Sequence, residues 1–340
     1  MDASVGAFYL REIAATNFQA TIKLDGSHIL LKPFQLTLNN APMFATADVD
    51  MSVPGYKYVL TCNTTNVPFA PLWNTFKPEE KGKVGGTLTA YANIGGTGTS
   101  GESLQKTLTG NFHVGTTNLN LSVTTIHNRM LRGLVEVVAA LPDFAQNPAS
   151  VVNFAGNAVF GKLNGSLSHD LEKSPIDVIT TDGVATNGQV IIKNTVVRSP
   201  TFEATVAKGT ITLAPVLTNS TINIPISIAL NNAIIGRFPL LGESATSTNG
   251  GYTKLPDFFS EQGTIGEPKK HISPTAFGKG VIRNLIPGLV GTNGILSQPL
   301  EGLGDLLHGG PSANQPATNN PPATNNQPAV NSIPNRFMGK

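Results

Sequence analysis

The sequence predicts an all-β, mainly antiparallel fold: an elongated curved sheet or β-groove with one or two short amphipathic helices and a disordered C-terminal tail. Three observations lead there. "STINIPISIAL", residues 220–230, places Ile222, Ile224, Ile226, Ile228 and Leu230 at every second position. Side chains alternate faces along a strand, so the stretch reads as one apolar and one polar face. Further alternating runs are separated by Asp25-Gly26, Asn39-Asn40 and Pro54-Gly55, dipeptides that suit hairpins and tight turns. Charged residues make up only 13% of the 340, about half of the roughly 25% usual in soluble domains. Thr, Asn, Ser and Gly carry the polar load instead, and they fit pleated surfaces and turns.

From residue 13 to 125 the expected order is a meander of strands and turns: "FQATIKL", "HILLKPFQLTL", "FATADVDMSV" and "YKYVLTCN", a Pro-rich loop "VPFAPLWNTFKPEEKG", then "VGGTLTAYANI", "LTGNFHVG" and "NLNLSV". Residues 126–141 break this rhythm. Ile126, Met130, Leu134, Val137, Val138 and Leu141 recur at three- and four-residue spacing, which predicts one amphipathic helix ending at Pro142, with the helical insertion covering about 126–147. Strands resume in "SPIDVITTDGVATNGQVIIKNTVVRS", "TFEATVAKGTITLAPVL" and "STINIPISIAL", and ordered sheet is expected to end near residue 270. One β module therefore spans 1–274. Residues 275–309 form a Gly-rich amphipathic segment, with Val281, Ile282, Leu285, Ile286 and Leu289 as its stripe. It reads either as a terminal helix docked on the sheet or as a mobile, membrane-touching segment. Residues 310–340, with the near-repeat "NQPATNNPPATNNQPA", lack large apolar residues over the repeat and read as disordered.

Composition removes several functions. A net charge of +2 with no long Lys/Arg run leaves no footprint for nucleic acid. One cysteine, Cys62, permits neither an internal disulfide framework nor a Cys-based zinc site. Gly96-Thr97-Gly98-Thr99-Ser100-Gly101 matches G-x-G-x-x-G, but only "ESLQKTL" separates it from Gly110, and no acid lies between Glu102 and Glu136. A flexible turn explains it better than a dinucleotide site. Ser168-His169-Asp170 are triad residue types, yet neighbours on a strand point to opposite faces. The six histidines show no paired metal spacing, and Glu79 and Glu80 read as a solvated charge cluster. No cofactor, metal or catalytic residue is expected, and the chain is read as non-enzymatic.

The positive signal is the length of the alternating runs: Ala45, Ala47, Val49, Met51 and Val53; Val84, Gly86, Leu88, Ala90, Ala92 and Ile94; Leu119, Leu121 and Val123; and the isoleucine row. Such a face must be covered by a second sheet, by helices or by a ligand. Helical sequence is scarce, which leaves a sandwich closed on itself or a ligand as the cover; for a ligand, the candidate contacts are Ile222, Ile224, Ile226, Ile228, Leu230, Val49, Met51, Leu88, Leu119 and Leu121. Pro225, inside the strand, points to a sheet edge beside an open groove.

On these residues the chain resembles the AsmA family, specifically its C-terminal region. The resemblance runs through "LKPFQLTLNNAPMFATADVDM", through "GGTLTAYANIGGTGTSGESLQKTLTGNFHVGTTNLNL", similar to the family's G-x-G-x-S-x-x-x-L-x-x-L-x-G run, and through "VVRSPTFEATVAKGTITLAPVL", where Lys208 replaces a frequent small residue. It covers about residues 8–270. It implies a periplasmic, inner-membrane-associated envelope protein whose β-groove serves outer-membrane assembly or phospholipid transport. Two departures stand out. The N-terminal anchor helix and the family's N-terminal half are missing here, and the chain opens directly in strand-and-turn sequence, as expected of a truncated chain. The expected partners are phospholipid acyl chains and, through the missing anchor, the inner membrane. The alternative is a structural or adhesive envelope protein whose apolar faces close on each other.

Overall fold

Each turn dipeptide returns the chain beside itself, and the result is a meander. The computed structural model describes residues 1–147, 150, 154, 163–242, 246–247, 250–273 and 275–277, all within one unit, Met1–Val290. Its strands are β1 Asp2–Leu10, β2 Ile13–Asp25, β3 His28–Leu38, β4 Ala41–Asp50, β5 Lys57–Pro68, β6 Thr87–Thr97, β7 Thr109–Thr117, β8 Val178–Thr186, β9 Gln189–Arg198, β10 Phe202–Thr212, β11 Thr221–Asn231, β12 Thr246–Ser247, β13 Tyr252–Lys254, β14 Phe259–Thr264 and β15 Pro268–Ile272. They join one 15-stranded sheet in which β1 to β11 follow in chain order, every pair antiparallel. The far side of β11 is shared by β13, at Ala229–Asn231, and β14, at Thr221–Ile226.

The turns behave as their residues require. Gly26 takes φ +58°, and Asn39 and Asn40 take +48° and +68°, the left-handed values that reverse a hairpin without splaying its strands. Register slips at several places, among them Asn17, at φ +54°, where β2 gains a residue against β3. Such bulges bend and twist a long sheet.

Several expectations need correction. The Pro-rich loop contains helix α1, Phe69–Phe76, followed by a short 3-10 turn at Pro78–Glu80. The Gly96–Gly101 run, expected as a flexible turn, is the end of β6 leading into helix α2, Gly101–Thr107, with Ser100 accepting a 3.2 Å bond from the Ser103 N–H at its start. The amphipathic helix is α3, Arg129–Gln146, opened by Asn128 and running past Pro142. Its last turn is held by packing, since Phe144 is buried against Phe277, and that burial outweighs the hydrogen bond a proline omits. Leu119 and Leu121 sit in an extended connection with a single bridge to Ile176, not in a strand. Met51 lies just past the end of β4. Ser168–Glu172 is a short helix, α4, so Ser168, His169 and Asp170 fan around a helix axis. Pro225 is internal, between β10 and β14; the β10 register breaks between Thr205 and Thr210, opposite the proline, so the bulge absorbs its missing N–H. The stripe from Val281 to Leu289 and the tail 310–340 lie outside the described residues.

Candidate functional site

Directly opposed residues on neighbouring strands share a face, so the register can be followed across the sheet. One row reads Ile22, Leu31, Ala47, Leu60, Ile94, Gly110, Ala185, Val190, Ile211, Ile222, Gly263, Pro268. No member is polar. A second reads Ala3, Ala20, Phe34, Ala45, Cys62, Ala92, Phe112, Gly183, Ile192, Gly209. The opposite face carries Thr46, Thr61, Asn93 and Asn111 in one row and Asp48, Val59, Gly95, Thr109 and Thr186 in another. Bonds such as Thr46 Oγ1 to Thr61 Oγ1 (2.5 Å) and His113 Nδ1 to Asp182 Oδ1 (2.7 Å) knit that polar face. One face is therefore apolar along these rows, and the other mixes polar side chains with Leu30, Phe44, Val59, Val184 and Ile191.

Cover on the apolar face is not uniform. Towards the C-terminal strands it is sealed. Ile222, Ile224, Ile226, Ile228 and Leu230 are at most 8% exposed and share one buried cluster with Leu134, Val138, Leu141 and Phe144 of α3, with Phe202, and with Phe258 and Phe277. Leu119 and Leu121 belong to the same cluster. The isoleucine row and these two leucines thus meet protein. The polar edge of this seal is an ionic group: Lys270 Nζ donates to Glu136 Oε2 at 2.9 Å, and Arg132 Nε donates to Glu136 Oε1 at 3.1 Å.

Over β2 to β7 the same face is covered at one end, where Ala15, Ala41 and Val67 are at most 4% exposed, and lies open towards the other. Ile22, Leu24, Ile29 and Leu60 are 45%, 73%, 37% and 42% exposed. Of the ten candidate residues only Val49 and Leu88, both half-buried, and the exposed Met51 lie on or beside this part. Side-chain size shapes it further. Ala45 and Ala47 on β4, Cys62 on β5, and Ala90 and Ala92 on β6 are small and alternate with Leu60 on β5 and Leu88 and Ile94 on β6, while β3 on one side carries Leu31, Phe34 and Leu36 and β7 on the other carries Gly110, Phe112 and Val114. At about 4.8 Å per strand β3 and β7 stand roughly 19 Å apart, and the row Ala45, Cys62 and Ala92 makes a low apolar strip between them. Burial pushes the Cys62 thiol pKa up, which fits a small apolar floor residue better than a reactive one. Sequence reasoning passed over Ile22, Leu24, Ile29 and Leu60 because it looked for the longest unbroken alternation; their signal was exposure, which depends on where α3 packs.

Other candidate chemistry stays dispersed. Asp170 is tied to Arg237 (2.8 Å). Glu80 is no solvated charge: it is 7% exposed, with Oε2 unpaired. The strand after Gly96–Gly101 returns antiparallel, β7 pairing with β6, whereas a dinucleotide fold needs a parallel one. A cleft of about 350 Å³ at the ends of β5, β6 and β7 is lined by Lys57, Tyr58, Asn93, Gly96, Thr107 and Asn111. Among the described residues no three His, Cys, Asp or Glu side chains group as metal ligands, and no helix is long and apolar enough to cross a membrane. Comparison of the chain with family models, with characterised proteins and with solved structures returns no match.

Proposed function

We propose that the open half of the apolar face, over β2 to β7, holds the acyl chains of phospholipids, and that the chain works as a non-enzymatic, AsmA-like module of the cell envelope in lipid transport or outer-membrane assembly. One observation carries the reading: an apolar face runs across the sheet, sealed by protein over the C-terminal strands and exposed around Ile22, Leu24, Ile29 and Leu60. Each methylene moved from water onto such a floor gains about 0.8 kcal/mol. Walls of Leu, Ile, Ala and Phe offer no head-group contact, so binding would be weak and tolerant of lipid type, as transport requires. Periplasmic location and attachment to the inner membrane follow from the AsmA resemblance of the sequence segments and are part of the same proposal.

The test is native mass spectrometry with lipid extraction on the purified chain, comparing wild type with Leu60→Asp. Leu60 is already 42% exposed, so the change should leave circular dichroism and the urea midpoint nearly unmoved while abolishing co-purified phospholipid. Absence of lipid from the wild type, or lipid retained by Leu60→Asp, would remove the proposal and favour the structural or adhesive reading, in which the open face meets protein.

A further inference from the structure

We propose that the first two turns of α3 are a proton-controlled lid: they close over the isoleucine row while Glu261 is neutral, and its ionisation lifts them and joins the row to the open part of the apolar face. The lid stands on contacts within the sealed end alone; its use, admitting acyl chains to that row, rests on the lipid reading above. Glu261 lies on the apolar side of β14, between Ile224 of β11 and Lys270 of β15. It is 1% exposed, and neither carboxyl oxygen has a hydrogen-bond partner. A buried polar group without partners costs stability that an isoleucine or leucine would not, so packing alone does not account for an acid here. The helix is shaped to it. A Cβ on Gly133 would stand 2.8 Å from Glu261 Oε1 and 3.5 Å from Lys270 Cγ, so α3 carries glycine, a weak helix former, where the carboxyl rises against it.

The charges around this contact fasten the same part of the helix. From α3, Arg129 Nη1 donates to the Gly266 carbonyl (2.7 Å), and Arg132 Nε donates to Glu136 Oε1 (3.1 Å). From β15, Lys270 Nζ donates to Glu136 Oε2 (2.9 Å) and stands 4.5 Å from the centroid of the Phe154 ring. β11 faces the carboxyl with the apolar Ile224. Lys270, the cation opposite Glu261, thus straps α3 to the sheet through Glu136. Once ionised, Glu261 sets a second carboxylate beside that one ammonium and has no donor of its own. It must draw Lys270 from Glu136 or admit water beneath Gly133, since a buried charge without a partner is untenable; either lifts the helix at this point. The opening ends within α3. Before Glu136 the helix buries Leu134 and Val135, and after it Val137, Val138, Leu141 and Phe144, so the second half stays seated. Burial pushes the carboxyl from its ordinary 4.5 up to about 8, Lys270 pulling it partly back. Closure is therefore firmest below about pH 4.5 and weakens as pH rises through about 8.

Hydrogen exchange read by peptide mass spectrometry, from about pH 5 to 9 and without lipid, tests the lid. Wild type and Glu261→Gln are compared at each pH, so the intrinsic pH dependence of exchange cancels. Residues 129–136 of the wild type should lose protection relative to the variant by up to about tenfold per pH unit, levelling off above about pH 8, while residues 137–146 and the strands keep theirs. A carbon-13 NMR titration of the Glu261 carboxyl in the unaltered chain supplies a reading that needs no variant, and it should show its transition near pH 8. The same pH dependence of residues 129–136 in both proteins, a loss of protection spread equally over α3 and the sheet, or a carboxyl that titrates in the ordinary range would overturn the proposal. Vesicles of dioleoyl phosphatidylcholine then separate the lid from its use. Added at about pH 9, they should slow exchange over residues 222–226 of the wild type; if residues 129–136 open as stated and the vesicles change nothing there, the lid stands and acyl-chain entry to the row falls.

Discussion

Glu261 is the group whose replacement tests how firmly the sealed end is closed. It sits on the apolar side of β14, opposite Ile224 and Lys270, and is 1% exposed with neither carboxylate oxygen hydrogen-bonded. A Cβ on Gly133 of α3 would come within 2.8 Å of its Oε1, so the helix lies directly on it. Burial pushes the Glu261 carboxyl up to about 8, Lys270 pulling it partly back. The folded chain then holds a proton that the unfolded chain, at 4.5, releases. Stability from this group is complete below about pH 4.5, falls as pH rises through the interval, and is lost above about 8. At about 1.4 kcal/mol per pH unit, the difference between the two values amounts to about 5 kcal/mol over that window. Glu261→Gln removes the titration. Urea midpoints measured from pH 4 to 9 should therefore diverge, the variant gaining on the wild type by several kcal/mol towards alkaline pH. Lys270, Glu136 and Arg132, the other charges around α3 and β15, remain in both proteins and cancel in the difference. Parallel curves for the two proteins across this range would refute the reasoning and mean that Glu261 is ionised and solvated.

Two further outcomes separate the sealed from the open part of the face. Ile228→Ala, at a fully buried side chain, should cost about 2–5 kcal/mol, whereas Ile29→Ala, 37% exposed on the same apolar face, should cost about 1 kcal/mol or less; urea titration reads both. Ala92→Phe places a large ring on the floor between Cys62 and Phe112 and should change stability by only about 1 kcal/mol while lowering the phospholipid carried per chain in native mass spectra.

The two-residue period exposed the strands well because one face is apolar almost everywhere, and period and burial then coincide. The turns were legible for the same local reason, since Gly26, Asn39 and Asn40 adopt the backbone their residue types prefer. What stayed hidden was non-local. Nothing near Pro225 announces that β10 bulges opposite it. Nothing near Ile224 announces that α3, some ninety positions earlier in the chain, seals the row. β1 was missed because Gly6 interrupts its alternation, and α1 because Pro68, Pro71 and Pro78 resemble a loop, whereas Pro68 and Pro78 flank a short helix and Pro71 sits in its first turn. Glu80 and Glu261 were invisible as buried acids, because burial of a charge is decided by what packs over it.

Residue size links the two ends of the face. Where α3 and its neighbours cover the sheet, Phe202, Ile222, Ile224, Ile226, Ile228 and Leu230 reach up into a helix layer; over β4 to β6 one row is lowered to Ala45, Cys62 and Ala92, while the next keeps Leu60 and Ile94 beside Ala47. A helix laid on such a floor would leave voids beneath it, each costing dispersion contacts that the larger side chains supply. Along that row a flexible, narrow apolar chain fits better than a second rigid sheet, which packs at about 10 Å and needs larger side chains to fill the gap.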